Sequence, residues 1–199
     1  MTRRVAPIFL ALALTACASA PVALIALPPA PVAPTRDMGP GPSILLREVV
    51  VPGYLDSFPV VVSRNASALA VSQSTEWAER PSAGVARVLR DALSQRLGAG
   101  RVLITGDGRL PDADLTVEFL ALDPHAQALH LDARWFFSCT ATRGGRGGRT
   151  QLDLPLASAT PTAVATATSE ALARFADALA IATPTECRPP AEDFARRRR

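Results

Sequence analysis

Two segments of this sequence have apolar residues at helical spacing, and each has only one apolar stripe. The first helix is expected to begin near Ser82, a capping residue, and to end at Gly98. The second is expected to begin at Thr160-Pro161, a capping residue followed by a proline at the first helical position. A helix with one apolar stripe must bury it against another element, so both need a sheet to pack on. The stripes are Val85, Val88, Leu89, Ala92, Leu93 and Leu97, and Val164, Ala167, Ala171, Leu172, Phe175 and Leu179.

Strands are predicted around these helices, mostly with connections short enough for hairpins. Turns are expected near Asn65 and from Asp123 to Ala126, and the arginine- and glycine-rich stretch 143–149 is expected to be a flexible hairpin loop. This order predicts an α+β fold, with a mainly antiparallel sheet and two helices packed on one face. The predicted strands are 44–51, 60–63, 69–75, 102–105, 115–122, 128–137 and 150–156.

The N-terminal segment has the proportions of an export signal. Two arginines precede an apolar run of about ten residues, 5–14, whereas a bilayer-spanning helix needs roughly 20. The run ends in Leu14-Thr15-Ala16-Cys17, which resembles the bacterial lipobox, whose cysteine becomes the first mature residue and carries acyl chains. Residues 1–16 are therefore predicted to be a lipoprotein signal peptide. The alternatives are an ordinary signal peptide with an incidental cysteine, or a buried N-terminal helix.

Lipid attachment at Cys17 would determine where the chain works. One acyl chain binds a membrane marginally, and two or more hold firmly. In such lipoproteins an aspartate after the cysteine tends to retain the protein at the inner membrane, and this chain has Ala18 there. We therefore expect a lipid-anchored protein at the outer membrane, facing the periplasm.

The mature chain is predicted to have a tether and one domain. Residues 17–42 are the expected lipidated N-terminus and tether. Residues 28–42 are rich in proline and would be extended without a core. The whole tether from residue 17 to residue 42 would reach at most roughly 80 Å when fully extended. The apolar segment 22–27 is a candidate first strand. Residues 43–199 form the expected domain with a basic C-terminal tail.

Charge argues against nucleic acid as a partner. The sequence has 21 basic residues, two of which leave with the signal peptide, while four form the terminal run 196–199. The basic residues that remain are fewer than the 18 acidic residues, so the body of the mature chain is slightly acidic. A nucleic-acid-binding surface would instead be basic. We interpret the terminal run as a solvated end, with anionic lipid or an acidic partner surface as the alternative.

Cys139 and Cys187 remain once Cys17 is assigned to lipid. An oxidising periplasm favours a disulfide between them, and two buried free thiols are the alternative. Neither cysteine lies at ligand spacing from His125 or His130, so no metal site is predicted. The sequence has no nucleophile or phosphate-binding motif, so no cofactor and no enzymatic activity are predicted.

Several short motifs within residues 44–97 point to a family. They are Tyr54-Leu55-Asp56, Pro59 with a β-branched run to Arg64, Trp77-Ala78-Glu79, and a helix with Ala86-Arg87-Val88-Leu89 and Leu93. This pattern resembles the PqiC family of ABC-transport auxiliary lipoproteins. The sequence departs from the family in lacking a tyrosine within 22–27, and in having Arg80-Pro81 in place of an apolar continuation.

The resemblance implies a non-enzymatic outer-membrane lipoprotein that docks on a periplasm-spanning MCE-domain protein and helps lipid pass between membranes. Contact with that partner is expected at Tyr54, Leu55, Asp56, Trp77 and Glu79. The alternative is that Tyr54 and Trp77 simply cover the end of the sheet. Ring assembly occurs in the family, but no residue here predicts a homo-oligomer.

Other classes of protein fit a lipid anchor with few catalytic residues. The second hypothesis is a structural assembly lipoprotein, such as an LptE-like plug or a secretin pilot. The approach of Trp77-Ala78-Glu79 to an arginine-rich helix favours the transport hypothesis. A periplasmic enzyme is the third option.

Overall fold

The computed structural model describes residues 21–33, 41–98, 100–141 and 144–187. Within these ranges the chain forms eight strands, two α-helices and a short 3₁₀ turn at Thr185–Cys187. The strands are β1 (Ala23–Ile25), β2 (Ile44–Val50), β3 (Pro59–Asn65), β4 (Ala68–Trp77), β5 (Val102–Leu103), β6 (Ala113–Pro124), β7 (Ala128–Cys139) and β8 (Gly145–Pro155), and the helices are α1 (Pro81–Leu97) and α2 (Pro161–Ala182).

The larger sheet has five strands in the order β5-β2-β6-β7-β8. The neighbours β6, β7 and β8 pair antiparallel through hairpin connections, as predicted. β2 lies parallel to both β5 and β6, because the chain between them crosses over through β3, β4 and α1. The predicted α+β class is confirmed, and the larger sheet is mixed rather than purely antiparallel.

A second, three-stranded sheet has the order β1-β4-β3. β3 and β4 form the predicted antiparallel hairpin, whose turn at Ala66 has a positive φ of 49°. β1 lies parallel to β4, with Ala23 opposite Thr75. The apolar segment 22–27 thus contains a three-residue strand.

Both helices contact the larger sheet and each other. Alternate residues of β6, from Ala113 to Phe119, are buried, which is the pattern of a strand with one face in the core. The ring of Phe119 meets Phe175 of α2 edge to face, with 5.7 Å between the centroids. The buried Arg96 of α1 donates two hydrogen bonds to Asp177 of α2, at 2.9 and 3.2 Å. No helix in the described ranges is long and apolar enough to cross a membrane.

The proline-rich segment does not begin as a free tether. Leu27 and Ala30 are 5% and 4% exposed and belong to the main core. The hydroxyl of Ser169 in α2 donates to the carbonyl of Pro28 at 2.7 Å. The prediction of a coreless tether is therefore wrong for residues 28–33. Proline keeps this stretch extended, and its small apolar residues fill space beside the helices.

This packing moves the start of the domain from residue 43 to β1. Gln95 in α1 accepts a hydrogen bond from the backbone N–H of Ala33 at 3.3 Å, so helix contacts persist to that residue. Residues 34–40 lie outside the described part of the chain. Only five residues separate Cys17 from β1, far fewer than in the tether expected from the sequence.

The expected flexible loop at 143–149 is also wrong, because Gly145–Arg149 belong to β8. In the register of β7 and β8, Gly147 lies opposite Phe136 and Gly148 opposite Trp135. A Cβ atom at Gly148 would overlap the Trp135 ring, and one at Gly147 would approach the Phe136 ring to 2.9 Å. Glycine is needed here so that the aromatic rings can lie across the neighbouring strand.

Candidate functional site

Tyr54 lies in a small polar cluster at the end of the larger sheet. Its hydroxyl donates to one carboxylate oxygen of Asp123 at 2.7 Å. Arg64 donates to the other oxygen of Asp123 and to the Tyr54 hydroxyl, both at 2.5 Å. The guanidinium carbon of Arg64 also lies 4.7 Å from the centre of the Tyr54 ring. Three side chains from a loop, β3 and β6 thus form one closed network.

Burial governs the chemistry of this cluster. Asp123 is 4% exposed, and a carboxylate so buried needs the cation that Arg64 supplies. Burial raises the pKa of the Tyr54 hydroxyl above its ordinary value, and the hydrogen bond to Asp123 raises it further. Tyr54 therefore stays protonated and donates to Asp123. The arrangement fastens the loop to the sheet and leaves no activated nucleophile.

Asp56 joins the same loop to the first helix. Its carboxylate accepts a hydrogen bond from the backbone N–H of Ser82 at 3.0 Å. Arg80 occupies the N-cap position of α1 without a side-chain capping bond, so Asp56 supplies the missing acceptor from outside the helix. Ser82 itself lies in the first turn, and its predicted role as the cap is wrong. The negative charge of this carboxylate also interacts favourably with the positive end of the α1 helix dipole.

Trp77 and Glu79 lie just before α1, and both contact other parts of the domain. Trp77 is 9% exposed and belongs to the core. Glu79 forms an ion pair with Arg87 of α1. A Cβ atom at Gly84 would lie 3.2 Å from the Glu79 carboxylate and 3.3 Å from Leu27, so the helix approaches both closely. These residues fix the helix against β1 and β4.

The motif residues surround a very small apolar cavity of about 40 Å³. A cavity of this size holds little more than a water molecule, far less than a lipid acyl chain. The cavity thus marks where the loop, the hairpin and the helices close over the core. Its walls include Leu27, Leu55, Val61, Trp77, Val85 and Leu122.

The larger sheet has a second feature, an open depression of about 590 Å³ on its surface. Phe136 and Val50 are 49% and 42% exposed there, although both are large and apolar. Glu118 and Arg134 flank them, with 3.9 Å between their charged atoms. Exposed apolar side chains with charged neighbours are typical of a protein-binding surface. We call the residues around Phe136 and Val50 the open sheet face.

A family comparison bears on this fold. The sequence profile of the ABC-type transport auxiliary lipoprotein component family matches residues 24–180, from β1 into α2. The chain belongs to this family. The match begins at the strand that the sequence left as a candidate, which agrees with a domain that starts at β1.

Two solved structures share the fold of this auxiliary lipoprotein component. The crystal structure of an uncharacterized protein covers 81% of this chain and 97% of its own, with 16% identity and a TM-score of 0.64. A Xanthomonas campestris protein of the family DUF330 covers 78% of this chain and 91% of its own, with 15% identity and a TM-score of 0.60. Among curated proteins, none matches the sequence.

The predicted contact residues of this family member have intramolecular partners. Tyr54, Asp56 and Glu79 are engaged within the chain, Trp77 is buried, and Leu55 lines the small cavity. Contact with a partner at these positions stays a prediction. The geometry favours the alternative hypothesis from the sequence, in which Tyr54 and Trp77 cover the end of the sheet.

The cysteines separate into two groups. Cys139 and Cys187 form a disulfide, with 4.9 Å between their Cα atoms, so the alternative of two free thiols is excluded. The bridge joins the end of β7 to the segment after α2. Cys17 and the basic tail lie outside the described residues. In the described part of the chain, no three metal-ligating side chains come together.

Sequence reasoning missed the role of Asp123, which it placed in a turn. In the structure Asp123 belongs to β6, and in the strand register it lies opposite His130 of β7. The available signal was an acidic residue directly after the apolar run 119–122, because such a residue needs a cation nearby. Arg64, 59 positions away in the sequence, could not be chosen as that cation without the fold.

Proposed function

We propose that this protein is the outer-membrane lipoprotein of an MCE- and ABC-type lipid transport system, where it acts without catalysis as a docking component that helps maintain membrane integrity. Membership of the auxiliary lipoprotein family carries the proposal, since the match spans nearly the whole described domain. The Cys139–Cys187 disulfide supports an oxidising compartment such as the periplasm. The lipid on Cys17 would hold the domain at the membrane.

The open sheet face is the surface we propose for the MCE-domain partner. An apolar centre at Phe136 and Val50 can be desolvated on binding, and the neighbouring charges of Glu118 and Arg134 give orientation. The helices pack on the other side of the sheet, so a partner can approach without displacing them. Phe136 is the side chain expected to contribute most, since large aromatic residues dominate binding energy.

A photo-cross-linking amino acid tests this surface in cells. Placed at Phe136, it is expected to yield an adduct with the MCE-domain protein. Placed at the exposed Phe58, beside the predicted contacts Tyr54–Asp56, it tests that second region. The exposed Asp91 on α1 serves as the matched control and should give no adduct. Absence of an MCE-domain adduct from both Phe136 and Phe58 would contradict the proposal.

A further inference from the structure

The β3–β4 hairpin has an unusual surface. Every residue from 65 to 71 is exposed, including Leu69 at 40% and Val71 at 39%. From Asn65 to Thr75 the sequence has no charged residue and no histidine. Soluble proteins usually protect exposed strands with charges, because an uncharged apolar edge promotes aggregation. A hairpin of this composition indicates a surface that is covered in use.

The direction of β1 shows what lies beside the hairpin tip. β1 runs parallel to β4, with Ala23 opposite Thr75. Going back along both strands leads from Ala23 towards Pro21, and from Thr75 towards the turn that follows Asn65. The N-terminal chain therefore leaves the domain on the side to which the hairpin tip points.

The length of the link sets the distance to the membrane. Cys17 precedes Ala23 by six positions, and Leu69 precedes Thr75 by the same number. Six residues span at most about 20 Å when fully extended. The link is therefore too short to carry Cys17 beyond the level of Leu69 in this direction.

We propose that the tip of the β3–β4 hairpin enters the headgroup region of the same leaflet that holds the lipid on Cys17. This inference rests on the lipid anchor of the proposed function. The hairpin would form a second membrane contact, which fixes the orientation of the domain where a lipid alone would leave it free to rotate.

The chemistry of the tip fits a lipid surface better than a protein partner. Its side chains are small or aliphatic, and Leu69 and Val71 suit the boundary between headgroups and acyl chains. Arg64, which directly precedes the tip, is already paired with the buried Asp123. The contact should consequently depend little on salt or on anionic lipid, unlike a basic membrane-binding patch.

Tryptophan quenching by brominated lipid tests the contact in the full-length lipidated protein. The protein is reconstituted in phosphatidylethanolamine vesicles that contain phosphatidylcholine brominated on its acyl chains near the headgroup. A Leu69→Trp variant should lose roughly half of the emission added by the new tryptophan, as expected for a side chain at the headgroup boundary. Adding Val71→Asp to that variant should reduce the quenching.

The matched control is Ile181→Trp. Ile181 is 66% exposed and lies beside Cys139, the last residue of β7. The hairpin contacts the opposite end of β7, where the backbone of Arg64 bonds to His125 in the β6–β7 turn. Its added emission should remain unquenched. Equal quenching at both positions, or none at either, would overturn the hairpin contact.

Flotation of the same vesicles separates the two proposals. If the protein floats with the vesicles and Leu69→Trp is not quenched, the anchor stands and the hairpin contact is wrong. If Cys17 carries no acyl chain and the protein does not float with the vesicles, the lipid anchor is wrong. The hairpin contact, which rests on that anchor, is then wrong as well.

Discussion

The carboxylate of Asp56 accepts a hydrogen bond from the backbone N–H of Ser82, the second residue of α1, at 3.0 Å. The two residues come from different elements, a loop before β3 and the start of a helix. The bond therefore links the Tyr54-Leu55-Asp56 motif to the helix that follows Trp77-Ala78-Glu79. The family motifs are thus explained by the way this corner of the domain closes.

Replacing Asp56 tests that link. Asp56→Ala should lower the free energy of unfolding by about 1 kcal/mol, the usual cost of losing a helix cap. Asp56→Asn keeps an acceptor oxygen and should retain most of the stability. Urea denaturation followed by circular dichroism measures both. Equal losses in the two variants would show that the hydrogen bond to Ser82 is not responsible.

The Asp123 network predicts an order of stabilities. Asp123→Ala leaves Arg64 and Tyr54 without their acceptor and should cost roughly 2 kcal/mol. Tyr54→Phe keeps the Arg64–Asp123 pair and should cost about 1 kcal/mol or less. Thermal unfolding compares the two variants. A larger loss in Tyr54→Phe would contradict the central place given to Asp123.

The glycines of β8 should resist substitution. Gly148→Ala forces the Trp135 ring to move, and overpacking of this kind should cost about 1–2 kcal/mol. The same substitution at Gly53 is the control, because no atom lies within 4 Å of a Cβ there. Tryptophan emission and urea denaturation report the displacement and its cost. If Gly148→Ala behaves like the control, the ring does not need that space.

Acid should weaken the contact between β7 and β8. Hydrogen bonding from Arg149 lowers the pKa of Asp132 to about 2, from an ordinary value of 3.8. Because the folded pKa is depressed, the stabilisation is complete above about pH 4 and is lost as the pH falls towards 2. The free energies of unfolding of the wild type and Asp132→Asn, measured as the pH is lowered, should therefore converge at low pH. A constant difference between them down to pH 2 would contradict this assignment.

Local patterns explain what the sequence predicted correctly. The helix stripes led to α1 and α2, and Thr160 caps α2 as expected by accepting the N–H of Ala163 at 3.4 Å. The α+β class followed, since each helix needs a sheet for its one apolar stripe. The β3–β4 hairpin was equally clear from the two strand-like segments 60–63 and 69–75 on either side of Asn65.

The sequence predictions were wrong where contacts with residues distant in the sequence determine the local structure. Gly145–Gly148 form a strand because Trp135 and Phe136 lie across them, and no pattern within 143–149 shows those rings. The helix cap comes from Asp56 rather than Ser82, which is visible only once the loop is folded. Residues 28–33 pack because the helices offer them a surface, although their composition is that of a linker.

Acylation of Cys17 is the claim on which the membrane-bound role depends most directly. Cells expressing the wild type or Cys17→Ser can be grown with labelled palmitate, and the purified proteins compared for incorporated label. We predict label in the wild type and none in Cys17→Ser, with the labelled protein in the outer-membrane fraction. An unlabelled wild-type protein, or one found among cytosolic proteins, would contradict the account.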